Sequence, residues 1–235
     1  MLSEVSFLQK GTGKDLLLLH GYMSQKEAFA AQVQYFSRFY KVTAIDFLGF
    51  GQSGKLILPF SVDDYADWLK AVTQALHLQK PHVIAHSFGC RVAVKTASKY
   101  EDIFDKIVLT GAAGIITNRG VKYKIKVKTY RFFKKIAPKF AEKRFGSKEY
   151  KTLSPIMKES YKKIVNEDLR DTATRVKNQV LIVCGEKDLV TPKKEAEIYE
   201  RAFPCARLET IDGGHFAFAE NPLVFNLLAE EFFYG

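Results

Sequence analysis

Long apolar runs are absent from this sequence of 235 residues. The longest are strand-sized, such as Leu16 to Leu19, far short of the ~20 residues that span a bilayer. The opening MLSEVSFLQKGTGK has no basic stretch followed by an apolar core, so no secretory leader is expected. Cysteine is scarce. Cys90, Cys184 and Cys205 form an odd set without metal-ligand spacing. Buried free thiols in a reducing compartment are the expectation, and with them a cytoplasmic location. No His, Cys, Asp and Glu cluster has the spacing of a metal site, so neither metal nor cofactor is expected. Internal repeats and low-complexity linkers are missing too.

Hydrophobic residues make up 47% of the chain, enough for a sizeable core. The net charge is +10, and its location is informative. Residues 119–151 carry thirteen Lys or Arg against Glu142 and Glu149, a balance of +11. The rest holds 23 basic and 24 acidic residues. The basicity therefore belongs to one segment.

Elsewhere, strand-length apolar runs alternate with amphipathic helical stretches. The runs are Asp15–Gly21, Lys41–Phe47, His82–Ser87, Lys106–Ala113, Gln179–Cys184 and Arg207–Asp212. Near-continuous apolarity suggests strands covered on both faces, as in a parallel sheet. Helix starts are marked by Ser24 with Glu27, by Ser61 with Asp64, and by Thr191 before Pro192. The alternation implies an α/β fold, a doubly wound, mostly parallel sheet of about seven strands. Residues 114–166 break the rhythm and read as a basic, mainly helical lid inserted into a core of residues 1–113 and 167–235. In the lid, Ile125, Thr129, Phe132 or Phe133, and Ile136 fit a helix, and the aromatics from Tyr123 to Phe145 could roof a pocket.

Ser87 lies in Ala85-His86-Ser87-Phe88-Gly89, directly after an apolar strand and before a helix pattern. Small residues two positions to each side permit a sharp strand-to-helix turn that lifts the hydroxyl above the sheet. A helix-capping serine is the plainer reading of Ser87 alone. Asp188 follows the strand QVLIVC, and His215 follows the next strand and two glycines. All three stand just past the C-terminal ends of parallel strands, so they converge on one edge. The expected catalytic set is therefore Ser87, Asp188 and His215. His20 is expected to shape its loop, His77 and His82 to be surface or strand-start residues, and His86 to pack at the turn without a chemical role.

The segments LLLLHGY, DFLGFGQS, IAHSFGCRVA, LIVCGEKDLVTP and GGHFAFAENP resemble the α/β-hydrolase superfamily across residues 16 to 222. The resemblance implies that fold, a lidded serine hydrolase of carboxylesterase type, and an oxyanion hole made by the backbone N–H groups of Tyr22 and Phe88. Two departures stand out. Ala85 replaces the commoner glycine, and with about fourteen residues before the first central strand, one antiparallel edge strand of the fuller pattern is expected to be missing.

Gly49 to Gly54 matches G-x-G-x-x-G, but a phosphate-binding loop must open directly into a helix, and here KLILP follows. A glycine-rich turn held by Asp46 and Ser53 fits better. The expected substrate is a small acyl ester or thioester. The basic lid reads first as a solvated surface. It could also steer an anionic substrate or touch an anionic membrane surface; nucleic acid is not expected, because no binding fold accompanies the charge. Arg91, four residues after Ser87, makes IAHSFGCR similar to the elbow of the menaquinone-pathway lyase SHCHC synthase, whose arginines hold substrate carboxylates. That lyase, and a slow-turnover receptor of the same fold, are the competing readings.

Overall fold

The computed structural model describes residues 4–117 and 153–235. Seven strands form one sheet in the order β1-β3-β2-β4-β5-β6-β7. They are β1 (Phe7–Lys10), β2 (Lys14–Leu19), β3 (Tyr40–Ile45), β4 (His82–His86), β5 (Ile107–Thr110), β6 (Val180–Gly185) and β7 (Ala206–Ile211). All neighbours pair in parallel except β1, which runs antiparallel to β3 with Phe7 opposite Ile45.

Central strands read as unbroken apolar runs because both faces are covered. In β2, Leu17 and Leu19 join one core while Leu16 and Leu18 join the other. The first core is closed by helices α2 (Val62–Ala75), α3 (Phe88–Lys99), α4 (Pro155–Val165), α5 (Arg170–Ala173) and α6 (Lys193–Ala202). The second is closed by α1 (Ala30–Phe36), α7 (Ala217–Glu220) and α8 (Pro222–Tyr234).

Six strands fall within a few residues of the sequence reading. The seventh, β1, went unassigned, and all four of its residues are exposed, so no alternation marks them. The helix expected in the basic segment, and the aromatics from Tyr123 to Phe145, lie outside the described residues.

Two helix-start expectations need correction. Ser24 and Glu27 form no capping box. The turn Lys26–Phe29 starts at Gln25 without a side-chain cap, because the Lys26 N–H donates instead to Asp46 Oδ1 at 2.7 Å. Helix α6 takes Pro192, not Thr191, as its cap residue, and the Thr191 hydroxyl is spent on Asp188. At α2 the expected box is present, with Ser61 Oγ accepting from Asp64 N–H and the Asp64 carboxylate accepting from Ser61 N–H. Cys90 and Cys184 are buried as expected, but Cys205 is exposed, because it precedes the edge strand β7.

Candidate active site

Strand β4 ends at His86 and α3 starts at Phe88, so the chain turns about a single residue, Ser87. That residue has φ 50° and ψ −105°, a conformation that costs a non-glycine residue of order 1–3 kcal/mol. The surroundings hold it there. The Ser87 N–H donates to the Thr110 carbonyl of β5 at 3.0 Å. The flanking positions must be small because backbone passes close by. A Cβ on Gly89 would lie 2.3 Å from the Leu19 carbonyl oxygen. Ala85 is fully buried in the sheet.

His215 Nε2 lies 3.1 Å from Ser87 Oγ, and its Nδ1 lies 2.9 Å from Asp188 Oδ2. The three groups hang from the C-terminal ends of β4, β6 and β7, the edge at which the sequence places them. Asp188 is buried, and its second oxygen accepts the N–H groups of Val190 at 2.7 Å and Thr191 at 2.9 Å. The Thr191 hydroxyl donates to Oδ2 at 2.7 Å. Burial alone would raise this carboxyl, but the bonds from His215 and Thr191 outweigh it and hold the group at about 2. A permanently charged acceptor thus fixes the tautomer that carries its proton on Nδ1 and leaves Nε2 to accept from serine. Thr191 was missed as a partner of this carboxylate. Its signal was present in Asp-x-x-Thr, a short turn that returns a hydroxyl to a carboxylate.

His20 shapes the adjacent loop. Its Nε2 accepts the Phe47 N–H at 3.0 Å, so Nδ1 bears the proton and donates to the Gly21 carbonyl at 2.7 Å. Burial lowers its pKa to about 4, so the ring stays neutral. The Gly21 carbonyl also accepts from Ser24 N–H at 3.2 Å. In a trans peptide the N–H points opposite to the C=O, so this anchoring sets the direction of the Tyr22 N–H. Phe88, as the first residue of α3, contributes an N–H with no acceptor inside the helix. Its ring and Tyr22's meet edge to face, with centroids 5.6 Å apart.

His86 packs at the turn as expected. Its ring lies against His215, Phe216 and Phe218, and its Nε2 is 2.9 Å from the His215 carbonyl oxygen. Burial, reinforced by His215, lowers its pKa to about 3, so it acts as a neutral donor that steadies the His215 backbone. His82 opens β4 and is buried, while His77 is exposed.

The glycine-rich stretch is a turn, with left-handed backbone at Gly49 and Gly51, and α2 starts only at Val62. Ser53 Oγ donates to the Asp46 carbonyl at 2.7 Å, and the Gln52 N–H donates to the Asp46 carboxylate at 2.9 Å.

Arg91 does not face the site. It is buried, and its Nη1 donates to the carbonyls of Ile164 at 3.0 Å and Glu167 at 2.8 Å. It fastens the end of α4 to α3. Among the described residues, no three His, Cys, Asp or Glu side chains converge as a metal site requires.

These features sit within a known family. The sequence profile for the alpha/beta hydrolase fold matches residues 15–156 and 156–222, and the chain belongs to that family. It is 28% identical over 247 residues to the AB hydrolase superfamily protein YisY of Bacillus subtilis, covering 94% of this chain and 92% of that one. Over a shorter stretch of 106 residues it is 31% identical to the (E)-2-((N-methylformamido)methylene)succinate hydrolase of Acinetobacter baylyi, covering 45% and 40% of the two chains. An esterase from Exiguobacterium antarcticum superposes with a TM-score of 0.78 at 23% identity, covering 98% and 96%. At that identity the likeness speaks for the fold alone.

Proposed function

We propose that this chain is a serine hydrolase that cleaves a carboxylic ester or thioester through an acyl-enzyme. One observation carries the reading: the unbroken chain of contacts from Ser87 through His215 to a buried, charged Asp188, with the serine raised on a strained turn. Ser87 Oγ attacks the acyl carbonyl as His215 Nε2 takes its proton. Asp188 holds the ring and stabilises its cationic form. The N–H groups of Tyr22 and Phe88 receive the negative oxygen, each worth about 3 kcal/mol in the transition state. His215 returns the proton to the leaving alcohol or thiol. Water, activated by the same histidine, then releases the acid and frees Ser87.

The lyase reading loses the residue that motivated it, since the Arg91 guanidinium is engaged by backbone carbonyls. The test is a series of p-nitrophenyl esters from acetate to palmitate, run on wild type and Ser87→Ala with a fluorophosphonate label. Rapid turnover with labelling at Ser87, both lost in the variant, is the expected result. Labelling without turnover would overturn the hydrolase reading and favour a receptor. Wild-type turnover in Ser87→Ala would overturn the site.

A further inference from the structure

Thr191 stands closer to the proposed chemistry than its place beside a helix start suggests. It is buried, and its hydroxyl has a single proton to give. That proton goes to Asp188 Oδ2 at 2.7 Å, the same oxygen that faces His215 Nδ1 at 2.9 Å. The hydroxyl oxygen itself lies 3.3 Å from Nδ1. Asp188, Thr191 and His215 therefore close a triangle. The other carboxylate oxygen, Oδ1, accepts the N–H groups of Val190 and Thr191. A carboxylate offers about four lone-pair sites, and these four donors fill them. No site is left for a competing donor, so the acceptor opposite Nδ1 stays in one place.

The chain spends Thr191 on this contact instead of on the helix. Pro192 follows it and has no N–H, and α6 begins at Lys193 without a side-chain cap. A β-branched side chain is also restricted at χ1, which keeps the hydroxyl aimed at Oδ2.

The donated bond acts on His215 through the carboxylate. It draws charge out of Oδ2, so Asp188 stabilises an imidazolium less than a carboxylate without that donor would. The base must be unprotonated to accept from serine, and a weaker hold on the imidazolium extends that state to lower pH. The other ionisable groups packed about the pair are few. His86, against the ring from the end of β4, is held at about 3 by burial. Cys184, in β6 near Asp188, is raised to about 11 by burial. Lys193 and Glu197 of α6 act on Cys184 with opposite charges. Glu220 of α7 accepts the Gly214 N–H at 2.6 Å, and Lys187 pairs with Asp212 at the exposed end of β7. Among the described residues, Asp188 and Thr191 are the polar groups that reach Nδ1.

We propose that Thr191 is a positioning residue of this site, whose hydroxyl fixes Asp188 Oδ2 opposite His215 Nδ1 and lowers the pH at which His215 takes up a proton. The effect on the ring is independent of what the site cleaves; the effect on rate rests on the hydrolase reading above.

The test is a titration of the His215 ring by NMR on the full chain labelled with nitrogen-15, the resonance being assigned by its loss in His215→Gln. Thr191→Val removes the hydroxyl, keeps the shape, and should raise the His215 midpoint by about half a pH unit. Thr191→Ser keeps a hydroxyl and should titrate with wild type. Thr191→Cys supplies a weaker donor and should fall between serine and valine. A valine midpoint at or below the wild-type value would overturn the proposal, as would a serine variant that titrates with valine. If the valine variant does not fold, a cysteine midpoint at the wild-type value does the same. A merely structural Thr191 would lower the melting temperatures and leave the midpoints in place. Where esters turn over, the acid limb of kcat/KM should move with the midpoint while KM stays within about twofold. Absence of turnover in wild type would remove the hydrolase reading, and the NMR midpoints would still decide the role of Thr191.

Discussion

Asp188 combines two properties that usually exclude each other, burial and charge. Burial opposes the charged form, and four donors around it, His215 foremost, reverse the balance. Replacing it with asparagine should leave the ring of His215 in the wrong tautomer and lower kcat on the order of a thousandfold or more; steady-state kinetics on p-nitrophenyl acetate would measure this. The same group couples stability to pH. Its folded value, about 2, is below the ordinary 3.8, so its stabilisation is present above about pH 4 and is lost as pH falls towards 2. That contribution is about 2 kcal/mol. Denaturant midpoints of wild type and Asp188→Asn, compared from about pH 6 to about pH 2.5, should converge at the acid end. At Gly89 the constraint is steric. A methyl group there meets the Leu19 and His20 carbonyl oxygens, neither of which can move without shifting β2. Gly89→Ala should cost about 3 kcal/mol or more and lower the melting temperature by several degrees.

At the scale of elements, local capping signals were legible only where nothing stronger competed. Ser61 and Asp64 cap α2 because the helix start is exposed, and the partner each needs is three residues away. Ser61→Ala should cost about 1 kcal/mol in chemical denaturation. Ser24 lost the corresponding role to Asp46, a buried carboxylate on another loop that also holds Lys26 Nζ at 2.8 Å. Thr191 lost it to Asp188. Contacts between segments far apart in sequence leave no trace in local spacing. Arg91 is the largest such case. Its position four residues after Ser87 suggested a substrate clamp, yet on a helix that spacing places it one turn deeper, against the end of α4. Arg91→Met should remove the side-chain donor that ties the carbonyls of Ile164 and Glu167 to α3 and lower stability by about 1–3 kcal/mol. A substrate clamp would instead raise KM and leave the thermal melt unmoved. Calorimetry beside kinetics separates the two.

For the molecule as a whole, sequence reading reached the sheet and the site through the same signal. Apolar runs of strand length, each ending in a chemically equipped loop, identify both the parallel strands and the residues at their C-terminal ends. Ser87, Asp188 and His215 come together for that reason. Strand β1 was missed because an exposed edge strand needs neither an apolar run nor alternation. The exposed pairs Ile57–Leu58 and Leu189–Val190 were read as parts of a loop and of a strand-end motif, since exposure depends on what the rest of the fold fails to cover.

The separation of Ser87 from His215 also bears on the birth of the chain. The two residues are 128 positions apart, and the histidine belongs to the final strand-to-helix connection. At roughly 5–20 residues per second, a ribosome adds the serine on the order of ten seconds before the base that would activate it. On the proposed reading, until β7 docks the nascent chain would carry a nucleophile with no means of deprotonating it. Synthesis order would then act as a built-in delay, the proposed activity arising only as the last strand joins the sheet.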